Sequence, residues 1–328
     1  MRLDSHRRSD TSAVSERALR GERLSFWVRI PRVLYGRLNV RRGVGRAVMT
    51  LAKFNPALRS LPVPLNDGRI LYLDLREPMC MNYLLAGEIW MEQGPTKFVR
   101  CVLHAGEVAI DIGANVGWYS TLFSEQVGRT GRVYGFEPST KACGLVTRTA
   151  SAYPQLEIVN SALSDYEGKA ELHLPAFGEM ASLQSVPGEL RAQECRVTTL
   201  DAFLKSRGKP VVHYVKCDAE GAELAILRGA AGLLASERPP IWQMEINAPT
   251  AARFGYHPDR IFEYFQSFAQ AGYEAYKINA ESGMLTPLVP PVELVRDDAV
   301  IVPRWQADRL AAYLRALNAP AQATSFHL

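Results

Sequence analysis

The chain has 328 residues, 47% apolar and 22% charged, so it can bury a sizeable core and is too apolar for wholesale disorder. No apolar run reaches membrane-spanning length and no signal-peptide core is present, so neither an embedded nor an exported protein is expected. Five scattered cysteines without paired spacing argue against a disulfide framework or a zinc site and fit a reducing, cytoplasmic setting.

The net charge of +4 hides an asymmetry. Residues 1–60 hold thirteen Arg and one Lys against two Asp and two Glu, a net of +10, which leaves −6 for the remainder. A mildly acidic body thus carries a basic arm. Residues 1–12 read as disordered. Two helical stretches are expected between Val14 and Leu51, broken near Pro31, with Val33, Val40, Val44, Val48 and Leu51 near one face. Such a helix suits either an anionic membrane surface or a packed position with a solvated Arg face. No recognition motif supports nucleic acid as a partner.

Asn66-Asp67-Gly68 between apolar runs in residues 62–75 signals a hairpin. With residues 79–104 it reads as an N-terminal cap on an α/β domain. The domain plan is an extension at 1–60, a cap at 61–106, a catalytic domain at 107–305 and a C-terminal helix and tail at 306–328.

The chain is organised around residues 107–137. Val108–Ile112 reads as a buried strand, Asp111–Gly117 as a glycine-rich turn, Trp118 as a helix start, and Arg132–Phe136 as a second strand ending at Glu137. This is the opening half of a nucleotide-binding α/β fold. Gly113 and Gly117 permit a sharp turn and close ligand approach. Glu137 lies 20 residues past Gly117, where a carboxylate can accept both hydroxyls of a ribose. Ser139 is an expected N-cap. A third strand is expected over 156–162, antiparallel strands over 169–174 and 195–199, and a Gly/Pro/Ser-rich loop, a candidate lid, over 176–190. A further strand over 211–215, a helix over 224–235, a strand over 241–246, a helix over 260–271 and strands over 273–278 and 299–302 complete a doubly wound, mostly parallel sheet.

Asp111 bears on the choice of nucleotide. A dinucleotide site places a pyrophosphate at this turn, and a carboxylate would repel it. The same carboxylate suits an ammonium and lies well near a sulfonium. S-adenosyl-L-methionine carries both, so it is favoured over NAD and an NAD-dependent oxidoreductase. Asp218 and Glu220 follow the strand opposite the turn. They can hold an acceptor hydroxyl or take its proton, or they can simply cap the next helix. For Glu223 capping is preferred. His213, within an apolar strand, and Glu245 are weaker candidate bases. No His/Cys cluster suggests a metal, and none is expected, although the carboxylates could take Mg²⁺.

Several segments carry a resemblance: DIGANVGWYS at 111–120, GFEPS at 135–139, VNSALSDYEGKAELHLP at 159–175 and VKCDAEGAELAILRGA at 215–230, with ASLQS at 181–185, VTTLDAFL at 197–204 and WQMEIN at 242–247. Over residues 62–303 the chain resembles the FkbM family of S-adenosylmethionine-dependent methyltransferases. Ala219 departs from the pattern, which more often has a β-branched residue there. The resemblance implies a class I methyltransferase fold, seven strands with a reversed edge hairpin, and O-methylation of a sugar or natural-product hydroxyl. It further implies that Asp111, Gly113, Asn115 and Gly117 hold the methionine end, Glu137 the ribose, and Ser161 with Ala162 the adenine edge. Residues 1–60 lie outside it, so a non-catalytic module held at membranes by that arm is the remaining alternative. The oligomeric state is not legible.

Overall fold

The computed structural model describes residues 25–40, 42–175, 181–185, 189–292, 294 and 296–319. The chain first forms α1 (Phe26–Arg32), capped by the Ser25 hydroxyl. The break expected at Pro31 does not occur there. Pro31 is buried inside α1, which runs on through a single π-helical turn, Val33–Arg37. That wider turn, after the proline, carries a bond from the Leu38 N–H to the Val33 carbonyl at 3.0 Å. The π turn ends at Arg37, and α2 (Val44–Phe54) starts after Gly43, whose φ is +87°.

The inward face of α2 is Val44, Val48 and Ala52, one residue every four, whereas Val40 and Leu51 point to solvent. Arg32 ties α1 to the body by donating to the carbonyls of Pro64 (2.5 Å), Leu84 (2.7 Å) and Tyr83 (3.2 Å). The expected hairpin is present as β1 (Leu61–Pro64) antiparallel to β2 (Ile70–Leu73). Then come α3 (Cys80–Ala86) and α4 (Gln93–Val102).

Next are β3 (Val108–Ile112), α5 (Trp118–Val127), β4 (Arg132–Phe136), α6 (Thr140–Ala150, capped by Ser139) and β5 (Leu156–Val159). The strand expected through Ala162 divides at Asn160, whose amide donates to the Glu137 carbonyl at 2.8 Å. Beyond it β6 (Ala162–Leu163) leaves for a separate sheet, ordered β6–β8–β7, with β7 (Gly168–Pro175) and β8 (Glu189–Thr198). After α7 (Leu200–Ser206) comes β9 (Tyr214–Cys217), which begins three residues later than expected.

The helix expected over 224–235 is two, α8 (Glu223–Arg228) and α9 (Ala231–Leu234). Gly229 lies hard against the Ser164 carbonyl, where an added Cβ would sit 2.0 Å from the oxygen. This tertiary contact interrupts the helix. The chain continues through β10 (Ile241–Asn247), α10 (Ala248–Arg253), α11 (Asp259–Gln266), β11 (Glu274–Ile278), β12 (Leu285–Pro287), β13 (Arg296–Val302) and α12 (Ala307–Asn318).

The main sheet has the order β12–β11–β13–β10–β9–β3–β4–β5. Pairs from β10 through β5 are parallel, and β13, β11 and β12 are antiparallel. The expected count of seven is therefore eight, the three-residue β12 being added at the edge. Alternation along each strand divides the core. Ala109, Val133, Tyr214 and Val300 face one apolar cluster, and Ile110, Tyr134, Val215 and Ile301 the other. Each large side chain fully buried this way contributes about 1.5–3 kcal/mol. The parallel strands share one carboxyl edge, so the segments after β3, β4 and β9 emerge together there. Among the described residues no helix is long and apolar enough to cross a membrane.

Candidate active site

The turn after β3 is bonded to both neighbouring strands. The N–H groups of Gly113 and Ala114 donate to the Phe136 carbonyl at 3.0 and 2.9 Å, and the Asp218 N–H donates to the Ile112 carbonyl at 3.0 Å. Gly113 has φ +81°, and a Cβ on it would lie 1.9 Å from the Asp218 carbonyl oxygen. The first turn and the second acidic motif therefore touch through backbone. Asn115 adopts φ +48°, and Gly117 starts α5 at φ +95°.

Asp111 is buried and accepts from the Ser120 hydroxyl at 2.5 Å. Burial pushes its carboxyl up to about 6, against the Ser120 bond and the nearby Lys216 cation. Glu137 is also buried. One oxygen accepts the Asn115 N–H at 2.9 Å and the other the Ser139 N–H at 2.8 Å. Burial lifts it to about 7 in spite of these donors. Each carboxylate oxygen keeps a lone pair for a ribose hydroxyl. Ser161 donates to the Arg196 carbonyl at 2.9 Å, which sets the β5–β6 bend.

All seven residues expected at the cofactor, except Gly117, line one cavity of about 610 Å³, together with Asp218, Glu220 and Glu245. That volume suits a nucleoside-sized ligand plus part of an acceptor. The donor set fits S-adenosylmethionine: a glycine turn at the cavity wall, a buried carboxylate at Glu137 able to accept a diol, and an apolar slot of Ala162, Leu163 and Leu172. Replacing Glu137 with Ala removes this buried carboxylate and the anchor it gives the Asn115 N–H. Calorimetry with S-adenosylhomocysteine should show affinity weakened by about 1–3 kcal/mol. Unchanged affinity would take Glu137 out of the site.

Oxygens of Asp218, Glu220 and Glu245 lie within 4.8 Å of one another. Three carboxyl groups so close are balanced by two cations, Lys216 and Arg296, and by raised proton affinity. Lys216, buried in β9, sits 3.7 Å from Asp218 and 3.3 Å from Asp298. Burial opposes the Asp218 charge, but Lys216 and a hydrogen bond with Glu245 hold its carboxyl below the usual range. The Asp218 charge, then burial, push Glu245 up to about 10, although Arg296 lies 3.3 Å away. Asp218 is thus the anion and Glu245 the proton carrier of the pair. Glu220 stands at φ +51°. Burial, Asp218 and Glu223 push it up to about 7, and its Oε2 has no hydrogen-bond partner.

Glu223 has a structural place. Its Oε1 accepts the Ala219 and Gly221 N–H groups at 3.0 and 3.1 Å, and its Oε2 accepts from the Tyr256 hydroxyl at 3.0 Å. His213 lies at the opposite end of the sheet, accepting the Val108 N–H at 3.3 Å. Most of the expected lid, 176–180 and 186–188, lies outside the described residues. Within 181–185, Ala181 and Leu183 line the cavity and the Ser182 hydroxyl donates to the Glu220 carbonyl at 3.2 Å.

Some participants were not anticipated. Lys216 is one. Another is Glu92, after α3, which accepts from the Tyr119 hydroxyl. Tyr119 is held in turn by Gln243 at 2.8 Å, and Gln243 by Tyr214 at 2.7 Å. Burial and Asp298 lift Glu92 to about 7. Lys216 carried a signal, a cation inside an otherwise apolar strand. Glu92 carried none.

Residues 111–275 match the family model described as the methyltransferase FkbM domain. No curated protein matches the chain significantly. Similar solved structures include an rRNA methylase from Streptococcus thermophilus, with 11% identity, 64% of this chain and 93% of that chain covered, and a TM-score of 0.37. They also include a SAM-dependent O-methyltransferase from Thermotoga maritima, with 12% identity, 74% and 77% covered, and a TM-score of 0.37. A SAM-dependent methyltransferase from Aquifex aeolicus has 11% identity, 65% and 90% covered, and a TM-score of 0.34.

Proposed function

The chain belongs to the FkbM family of methyltransferases, which use S-adenosylmethionine, and we propose that it methylates a hydroxyl oxygen of a sugar or natural-product acceptor. The observation that carries this reading is the carboxyl-rich half of the cavity facing the glycine turn, where Asp218, Glu220, Glu245, Glu92 and Asp298 converge. Carboxylates accept hydrogen bonds from hydroxyls, and an anionic acceptor would meet repulsion there.

When bound, S-adenosylmethionine supplies an electrophilic methyl group on a sulfonium. The chain's own residues do the rest. The turn at Gly113–Gly117 and Glu137 fix the donor's position. Asp218, kept ionised by Lys216, presents negative charge beside the turn. Glu220, with a free oxygen and an affinity for protons near neutrality, accepts the hydroxyl proton as the new C–O bond forms. Positioning provides much of the acceleration, because both reactants are held in one cavity.

The pH dependence tests the assignment. Glu220 is raised by burial, so its basic form is scarce below about pH 7 and grows above it. With a hydroxyl acceptor, kcat/KM should climb through that region and then level off. A profile flat from about pH 5.5 to about pH 8 would contradict a base titrating there.

A further inference from the structure

Between residues 25 and 66 the sequence holds seven Arg and one Lys and not one Asp or Glu. Two of these cations are engaged inward: Arg32 on the carbonyls of Pro64, Tyr83 and Leu84, and Arg59 on those of Ala52 and Lys53. Arg29, Arg37, Arg42, Arg46 and Lys53 are exposed. The same segment exposes large apolar side chains. Six of the fourteen found exposed among the described residues fall within 26–54, with Phe54 81%, Phe26 62% and Leu38 62% exposed. The packed face of these helices is already filled by Val28, Pro31, Val44, Val48 and Ala52. The remaining surface is apolar and cationic together, and residues 25–66 supply no acid to neutralise it.

We propose that α1, α2 and the turn between them seat the protein on an anionic phospholipid surface. Phe26, Leu38, Leu51 and Phe54 enter the interfacial layer, and Arg29, Arg37, Arg42 and Arg46 meet lipid phosphates. A polyphosphate chain would satisfy the arginines and leave the aromatic and Leu side chains in water. A lipid interface serves both. The placement also matters for the cavity. Arg32 bonds α1 to the carbonyls of Tyr83 and Leu84 in α3, and Met79, Asn82 and Tyr83 line the cavity wall. The surface that meets lipid is therefore fixed to one wall of the site. The proposal does not depend on which acceptor is methylated.

The test is co-sedimentation of the full chain with vesicles of phosphatidylcholine alone or mixed with phosphatidylglycerol. The variants are Phe26→Ser with Phe54→Ser, and Arg42→Gln with Arg46→Gln. These side chains are exposed, so both variants should keep the parent Tm and S-adenosylhomocysteine affinity. The parent should pellet with the anionic vesicles and release as salt rises. Each pair of substitutions should lower partitioning about tenfold or more. Failure of the parent to pellet, equal pelleting of parent and variants, or equal binding to neutral vesicles would overturn the proposal. So would sedimentation showing that the Phe residues instead join two copies of the chain, or tighter binding to an RNA oligonucleotide than to anionic vesicles.

Discussion

Glu220→Gln should lower single-turnover methyl transfer by about 100-fold or more, the usual scale for general acid–base help, and leave S-adenosylhomocysteine affinity within a few fold. The amide keeps the side chain's shape and removes its affinity for the proton. The bond from the Ser182 hydroxyl to the Glu220 backbone carbonyl is untouched, so residues 181–185 keep that anchor. Asp218→Asn should also slow turnover, by a different route. It removes the anion opposite Lys216 and leaves that buried cation with Asp298. The proton on Glu245 is then less firmly held, because the Asp218 charge is the largest influence raising it. Asp218→Asn should therefore shift the pH–rate profile as well as lower its height. Were the two residues only capping α8, each substitution would cost about 1 kcal/mol of stability and turnover of the folded enzyme would stay near normal. Melting temperature, cofactor affinity and single-turnover rate measured together distinguish the cases.

Gly113→Ala should have the largest structural effect of any single substitution in the site. Its φ of +81° is unfavourable for alanine, and the new methyl would meet the Asp218 carbonyl oxygen at 1.9 Å. Neither atom is a flexible side-chain end, so β3 and β9 would have to part at their carboxyl ends. A loss of about 3 kcal/mol or more is expected, with S-adenosylhomocysteine binding falling at least about tenfold because the turn itself is displaced. Gly144→Ala is the matched control. Position 144 lies in α6 with nothing within 4 Å of an added Cβ, and alanine there should be neutral or stabilise by about 0.5–1 kcal/mol. Equal melting temperatures for the two variants would refute the contact between the glycine turn and the second motif.

Local chemistry was legible in the sequence, and contacts between distant residues were not. β3 and β4 fall on the apolar runs read for them, and Ser139 caps α6, because a short buried strand and a hydroxyl cap are decided within a few residues. The hairpin at Asn66-Asp67-Gly68 is of the same kind. The helix break at Gly229 depends on Ser164, which packs from another part of the chain. Likewise the role of Lys216 depends on Asp298, 82 residues away, and that of Glu92 on Tyr119, 27 residues away. Pro31 misled for a related reason. A proline usually ends a helix, but here Pro31 is buried against the body and the helix runs on past it into a π turn. Asp111, Glu137, Asp218 and Glu220 could be read as candidates because they stand at strand ends. Their differing protonation could not, since burial, Lys216 and Glu245 set it.

Methyl transfer to a hydroxyl oxygen is tested most directly by following the methyl group itself. The full chain is incubated with S-adenosylmethionine labelled in its methyl group and a pool of glycans and polyhydroxylated natural products. The linkage of the transferred label is then determined by mass spectrometry after mild alkali and after acid hydrolysis. The label should survive alkali and be recovered as a methyl ether on a sugar or natural-product carbon. Recovery as an alkali-labile ester or an N-methyl group, or no transfer by protein that binds S-adenosylhomocysteine, would contradict it.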